Sequence, residues 1–209
     1  MSTATGMTVR TWAARSRGWI AIILLAPFCV AALFSKPLSL EGSWTDFIFD
    51  QIAWFMFFAG AAFRWWSTLY IGGRKTSDLI CEGPYSLCRN PLYLGTFLMV
   101  LSMAVFLESI TLVVGMALAS WIYLSTTVPV EEERLRARFG SKFDAYCQEV
   151  PRLVPRLSSF RSAQTIEVRL DGLLSEGIRA ARWIWIPLLC LLVEQLRSQP
   201  TWPHLFKLP

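Results

Sequence analysis

Residues 79–95 read LICEGPYSLCRNPLYLG, a polar and turn-rich stretch that lies between apolar segments and leads straight into one. A Gly83-Pro84 turn is followed by Tyr85, then Arg89-Asn90-Pro91, then Tyr93 and Gly95. A loop that only joined two membrane helices would have no need of this mixture. Pro at a first helical position lacks only an N–H that would be unpaired anyway, and Asn is a favoured N-cap, so a helix is predicted to open at Asn90-Pro91. Its free N–H groups and positive dipole end suit a carboxylate or phosphate. Arg89 adds a cation capable of bidentate carboxylate binding. The plainer readings are that Asn90 only caps and that Arg89 is a basic flank of a membrane span.

The surroundings of this stretch are strongly apolar. The 209-residue chain is 54% hydrophobic, carries 10 Trp and 14 Phe, and is only 17% charged, against roughly 25% in soluble domains. Apolar residues are clumped, which favours a polytopic membrane protein. Four runs stand out: Trp19–Phe34, Phe47–Tyr70, Leu92–Leu107 and Ile110–Val128. The first would span about 24 Å as a helix, short of the ~30 Å hydrocarbon core, so flanking residues, with Trp19 as an interfacial anchor, must complete it. Asp50 lies near one end of the second run, close enough to the interface to be solvated; Arg64 either snorkels or belongs to a site. Only Glu108-Ser109 separates the last two runs, which demands an antiparallel hairpin.

Basic residues gather before the first run (Arg10, Arg15, Arg17), between the second and third (Arg74, Lys75, Arg89), and after the fourth. The positive-inside rule then puts both ends of the four-span unit, and the loop at 79–95, in the cytoplasm. The N-terminus resembles a signal peptide, but no small-residue cleavage pattern follows Phe34, and a retained first helix is expected. The net charge of +5 reads as cytoplasmic flanks, and no nucleic-acid partner is expected.

Beyond the fourth run, Glu131–Gln148 reads as an amphipathic helix: Leu135, Phe139, Phe143 and Tyr146 recur at intervals of 4, 4 and 3, one helical stripe. Gly140 weakens it, and Pro151 and Pro155 end it. The Glu131-Glu132-Glu133 run suits a helix start as a solvated charge cluster, and Glu132 has Arg136 four residues on as an exposed partner. Glu131 stands four before Leu135, above the buried stripe, where it could accept hydrogen bonds from hydroxyl or amino groups. Residues 161–182 form a second charged stretch. Trp183–Leu196, apolar but short and containing Pro187, reads as an interfacial or re-entrant segment.

The expected fold is therefore all-α: a polytopic membrane protein with about four transmembrane helices, cytoplasmic amphipathic helices and a short C-terminal apolar segment. Its expected parts are a cytoplasmic segment at 1–18, a membrane core at 19–157 and an extension at 158–209. Cys29, Cys81, Cys88, Cys147 and Cys190 are odd in number and include no CxxC pair, so free thiols in a reducing compartment are expected. His204 is the only histidine, and no metal is expected.

Two segments together, GPYSLCRNPLYLG and EEERLRARFGSKFDAYCQEVPRLVP, resemble the isoprenylcysteine carboxyl methyltransferase family and its phospholipid methyltransferase relatives. The first supplies Gly83, Tyr85, Arg89, Pro91, Tyr93 and Gly95 of the family's Gly-x-Tyr then Arg-His-Pro-x-Tyr-x-Gly loop. The second supplies Glu131, Glu132, Leu135, Phe139, Gly140, Tyr146, Val150, Pro151 and Arg152. The resemblance covers about residues 47–157. It implies an integral membrane enzyme, active on the cytoplasmic face, that moves a methyl group from S-adenosylmethionine to a lipophilic or lipid-linked acceptor entering laterally among membrane lipids. By this resemblance Gly83, Pro84, Tyr85, Asn90, Pro91, Tyr93, Glu131 and Glu132 would surround the cofactor. Arg89 and Arg152 would hold a carboxylate, with Arg89, Asn90 and Glu131 nearest the chemistry. Asn90 stands where the family has His and cannot take a proton near neutral pH, which favours an acceptor already anionic. A phosphatidylethanolamine-type N-methyltransferase, a sterol-type reductase with a similar loop, and a non-catalytic membrane protein stay open as alternatives.

Overall fold

The backbones of two helices meet where neither carries a side chain. In the computed structural model, which describes residues 23–71, 78–166 and 170–206, α2 (Trp44–Ile71) and α4 (Pro91–Phe106) cross at Gly60 and Gly95. A Cβ on Gly60 would sit 2.6 Å from the Gly95 carbonyl oxygen, and one on Gly95 2.7 Å from the Gly60 oxygen. Around this pair stand α1 (described over Ile23–Leu33) and α5 (Ile110–Phe139). The short helices α3 (Pro84–Leu87) and α6 (Ser141–Glu149) follow at one end of the bundle. The C-terminal pair is α7 (Leu170–Trp183) and α8 (Trp185–Arg197). The segment 1–18, Trp19, Arg74 and Lys75 lie outside the described residues.

Among the described residues the fold is all helical, with only an isolated bridge between Ser35 and Phe206. Two helices, α2 and α5, are long and apolar enough to cross a membrane; at 28 and 30 residues they extend about 42 and 45 Å. Their outward faces carry exposed Phe47, Ile48, Ile52, Phe55, Phe58, Val114, Leu118 and Trp121, the surface expected of helices in lipid. The tight turn at Glu108-Ser109 is as the sequence demands. Ser109 caps α5, its side chain accepting from the Leu112 N–H at 3.3 Å.

Two boundaries differ from expectation. The chain does not break between the fourth apolar run and Glu131: α5 continues through Pro129 to Phe139. A proline within a helix removes one N–H and crowds one carbonyl, and here the helix passes through it. The break comes at Gly140, whose φ of 55° is the left-handed backbone that glycine adopts freely. The expected single amphipathic helix is thus two, yet Leu135, Phe139, Phe143 and Tyr146 still share one cluster with Leu79, Cys81 and Val150.

The C-terminal segment packs along the bundle. Glu176 of α7 pairs with Arg64 near the end of α2, Cys190 of α8 packs on Ala53 and Phe106, and Arg197 donates to the carbonyls of Ser35 (3.0 Å) and Leu107 (2.6 Å). The α7–α8 pair therefore runs from one end of the α2–α4 pair to the other. Pro187 explains the interruption at Ile184, since it has no N–H for the Trp183 carbonyl. Trp202 and Phe206 then close over the end of α1, donating to the Leu33 and Phe34 carbonyls.

Candidate functional site

The loop at residues 79–95 is held in shape from three sides. Gly83 has φ 59°, and a Cβ there would meet the Tyr70 ring at 2.2 Å, so the position needs glycine twice over. The buried turn of α3 follows, and α4 opens at Pro91 with Asn90 before it, as predicted. The Asn90 side chain makes no capping bond; its Nδ2 instead donates to the Arg152 carbonyl at 3.0 Å.

Residues 151–161 run along this loop as a strap. Arg89 N–H donates to the Pro151 carbonyl (2.9 Å), Arg156 N–H to the Leu87 carbonyl (3.0 Å) and Gly83 N–H to the Arg161 carbonyl (2.7 Å). Ser159 Oγ donates to the Ser86 carbonyl, and Tyr146 Oη to the Tyr85 carbonyl, both at 2.7 Å. The Val-Pro-Arg tail acts mainly as backbone partner to the loop, a role that no side-chain pattern reveals.

Glu132, 8% exposed, is the centre of the charge arrangement. Arg89 Nε donates to it at 3.1 Å and Arg152 Nη2 at 2.6 Å. Arg89 Nη1 donates further to the carbonyls of Cys147 (2.8 Å) and Val150 (3.0 Å). The exposed Glu132–Arg136 pair expected from spacing does not form. The bend at Gly140 brings Asp144 back to Arg136 at 2.7 Å, and Glu132 turns inward to two cations from distant segments.

Beside this clamp lies a cavity of about 400 Å³, within the roughly 300–1,000 Å³ of small-molecule sites. Of the residues singled out from sequence, Tyr85, Arg89, Asn90, Pro91, Tyr93, Glu131 and Glu132 line it. Gly83, Pro84 and Arg152 do not; the first two shape the loop behind it, and Arg152 braces Glu132. Asp78, Ile71, Arg134, Phe143 and Tyr146 line it unforeseen. Of these, Phe143 is legible in the sequence as a member of the buried stripe, and Tyr146 as a member of that stripe and of the second motif.

Tyr93 Oη, from the first turn of α4, donates to the Glu131 carboxylate, lying 2.8 Å from each oxygen. Tyr85 is buried against the cavity, its Oη has no hydrogen-bond partner, and burial pushes its pKa up. A buried phenol without a partner costs free energy unless something in the cavity supplies one. The cavity thus offers a neutral hydroxyl, an oriented carboxylate and aromatic faces. This set fits a polar, partly aromatic ligand such as a nucleoside.

A phospholipid methyltransferase family profile matches residues 47–142. The cobalt-zinc-cadmium resistance protein CzcN of Cupriavidus metallidurans is 30% identical, over 71% of this chain and 68% of that protein. The chain belongs to the phospholipid methyltransferase family. The nickel-cobalt-cadmium resistance protein NccN of Alcaligenes xylosoxydans xylosoxydans is 39% identical, over 52% of this chain; the match spans about half, 51%, of that relative's length. Protein-S-isoprenylcysteine O-methyltransferase B of Arabidopsis thaliana is 27% identical, over 52% of this chain and 69% of its own. No solved structure matches. The family's matched segment holds Tyr85, Arg89, Tyr93, Glu131 and Glu132, and stops before the strap.

Proposed function

We propose that this chain is an integral membrane methyltransferase that uses S-adenosylmethionine and methylates a lipophilic acceptor, in the manner of the isoprenylcysteine methyltransferases. The observation that carries the reading is the cavity in which the two motif segments meet, with Tyr85 Oη unpartnered in its wall. Tyr85, Asn90, Tyr93 and Glu131 would hold the cofactor. When bound, S-adenosylmethionine supplies an electrophilic methyl group on its sulfonium.

The chain's residues have separate tasks. Tyr93 fixes the Glu131 carboxylate to accept hydrogen bonds from hydroxyl or amino groups. Arg89 keeps Nη2 outside its bonds to Glu132, Cys147 and Val150, where it can meet a carboxylate of the acceptor. For such an acceptor the nucleophile is already ionised, so alignment matters most, and Asn90 needs no proton chemistry. For an amine or thiol acceptor, Glu131 would be the base. The Tyr93 and Phe97 rings of α4 pack edge to face on Tyr123 of α5, with centroids 5.2 and 6.4 Å away, an apolar seam suited to a lipophilic acceptor entering from the side. On this reading α1, α2, α4 and α5 are the four spans, with the catalytic core at 19–157. Arg134 in the cavity wall, with Arg136, Arg138, Arg152, Arg156 and Arg161 following in the same part of the chain, supports a cytoplasmic site by the positive-inside rule.

The family profile favours a second reading, N-methylation of a phosphatidylethanolamine-type head group. One experiment separates them. Detergent-purified protein is incubated with methyl-labelled S-adenosylmethionine and membrane lipid extract, and the labelled product is identified by mass. A methyl ester supports the first reading and a methylated amine head group the second. Absence of any labelled product, even with prenylcysteine added, would sink both.

A further inference from the structure

Methyl transfer leaves unexplained the face that α7 and α8 turn away from the bundle. Leu174, Ile178, Trp185, Leu189, Leu192 and Leu196 are exposed between 43% and 70% and recur at intervals of 4, 7, 4, 3 and 4, one helical stripe. The stripe passes through the junction of the two helices without losing phase. Ile184 keeps helical dihedrals (φ −63°, ψ −24°), and its N–H donates to the Ala180 carbonyl at 3.2 Å. Pro187 therefore bends the chain and does not turn it back. From Leu174 to Leu196 the stripe extends about 33 Å, enough for a ~30 Å hydrocarbon core.

The opposite face is registered antiparallel on α2. Glu176 meets Arg64, and a Cβ on Gly177 would lie 3.3 Å from the Trp65 ring. Further on, Cys190 packs on Ala53, and one oxygen of Glu194 lies within 4.8 Å of one from Asp46 and one from Asp50. Charges follow the same order in both partners. The chain carries none between Asp50 and Arg64, and none between Arg182 and Glu194. At the cavity end Arg179 pairs with Glu176 at 2.7 Å, and the exposed Arg182 has the reach to snorkel towards that interface.

We propose that α7 and α8 together cross the bilayer as a fifth span, with their exposed stripe against lipid acyl chains. Residues 198–206, which close over the end of α1, then lie on the membrane face opposite the cavity. The proposal rests on the reading of this chain as an integral membrane protein. Lipid is the occupant because the stripe continues a surface of the same kind: α2 exposes Ile52 and Phe55 at the level of Cys190, and Trp65 at the level of Gly177. An apolar band of this length facing water would be an aggregation hazard. In the sequence the apolar run Trp183–Leu196 looks too short to cross. The missing turns come from α7, whose Glu176 can enter the bundle because Arg64 neutralises it.

The test uses the full chain in spheroplasts of a bacterial host and a charged, membrane-impermeant maleimide that adds a resolvable mass. Each variant is read as the mass shift gained over the parent chain. Thr201→Cys and Ser141→Cys stand at exposed positions at opposite ends of the bundle, and Leu189→Cys stands in the middle of the stripe. Thr201→Cys is shifted in intact spheroplasts, Ser141→Cys only after lysis, and Leu189→Cys in neither, only after denaturation in SDS. The reverse order for the first two supports the crossing and overturns instead the cytoplasmic placement of the cavity. A shift of both under the same condition would overturn the crossing. So would a shift of Leu189→Cys in native membranes, which would show the stripe facing water. A disulfide-linked dimer of Leu189→Cys on oxidation, absent from the parent, would assign the stripe to a second copy of the chain and overturn the lipid contact. A chain that does not sediment with membranes would sink both this proposal and the membrane reading beneath it.

Discussion

Tyr85 is the residue at which fold and function make opposite demands. Its side chain is buried in the cavity wall, while its Oη has no partner. Tyr85→Phe keeps the ring and removes the unsatisfied group. The unliganded protein is then expected to unfold at the same temperature or higher, whereas affinity for S-adenosylmethionine falls about 5- to 10-fold, one hydrogen bond of about 1 kcal/mol. A purely structural tyrosine would give the reverse, lower stability with unchanged binding.

The cysteines of the loop bear on function by being inert. Burial pushes the Cys81 thiol up to about 11, against the opposing pull of Arg161, and the Cys88 thiol likewise to about 11. A raised pKa keeps the thiol protonated, and only the thiolate is a nucleophile. Maleimide labelling of Cys81 in the folded protein is therefore expected to be slow at pH 8 and to rise about tenfold per pH unit through pH 10. Cys88, 0% exposed, is expected to label only on unfolding. Rapid labelling of either at pH 7 would contradict the packing described.

At the scale of elements, the site is a clamp between segments far apart in the chain: the loop before α4, the end of α5, α6 and the strap. Glu132 ties three of them, and its two arginines are unequal. Arg89 is 13% exposed in its side chain and Arg152 47%. Glu132→Ala leaves Arg89 buried without its counter-charge, which costs about 3–5 kcal/mol. Arg152→Ala removes a half-exposed partner, worth about 1 kcal/mol or less. Thermal unfolding in detergent should rank them in that order, and equal small losses would mean that the clamp does not hold the site together.

The whole molecule shows which parts of such a protein are legible in its sequence. Local signals were reliable: Asn90-Pro91 opens α4, Glu108-Ser109 makes the hairpin, and the apolar runs became helices. These depend on residues within a turn or two of one another. What escaped was set by contacts across the chain. Spacing alone paired Glu132 with Arg136, but Arg89 and Arg152 reach it in the fold. The fourth apolar run and the segment from Glu131 form one helix that passes through Pro129, and the bend comes at Gly140. The C-terminal pair looked peripheral because its partners, Ser35, Ala53, Arg64 and Leu107, lie far back in the sequence.

The claim on which everything else depends is that the cavity between residues 78–93 and α5 binds S-adenosylmethionine. Calorimetric titration of the cofactor into the detergent-purified full chain tests it most directly. The expected result is one site per chain in the wild type and none in Glu131→Ala, whose unfolding midpoint stays near that of the wild type. Absence of binding by the wild type, or undiminished binding by Glu131→Ala, would contradict it.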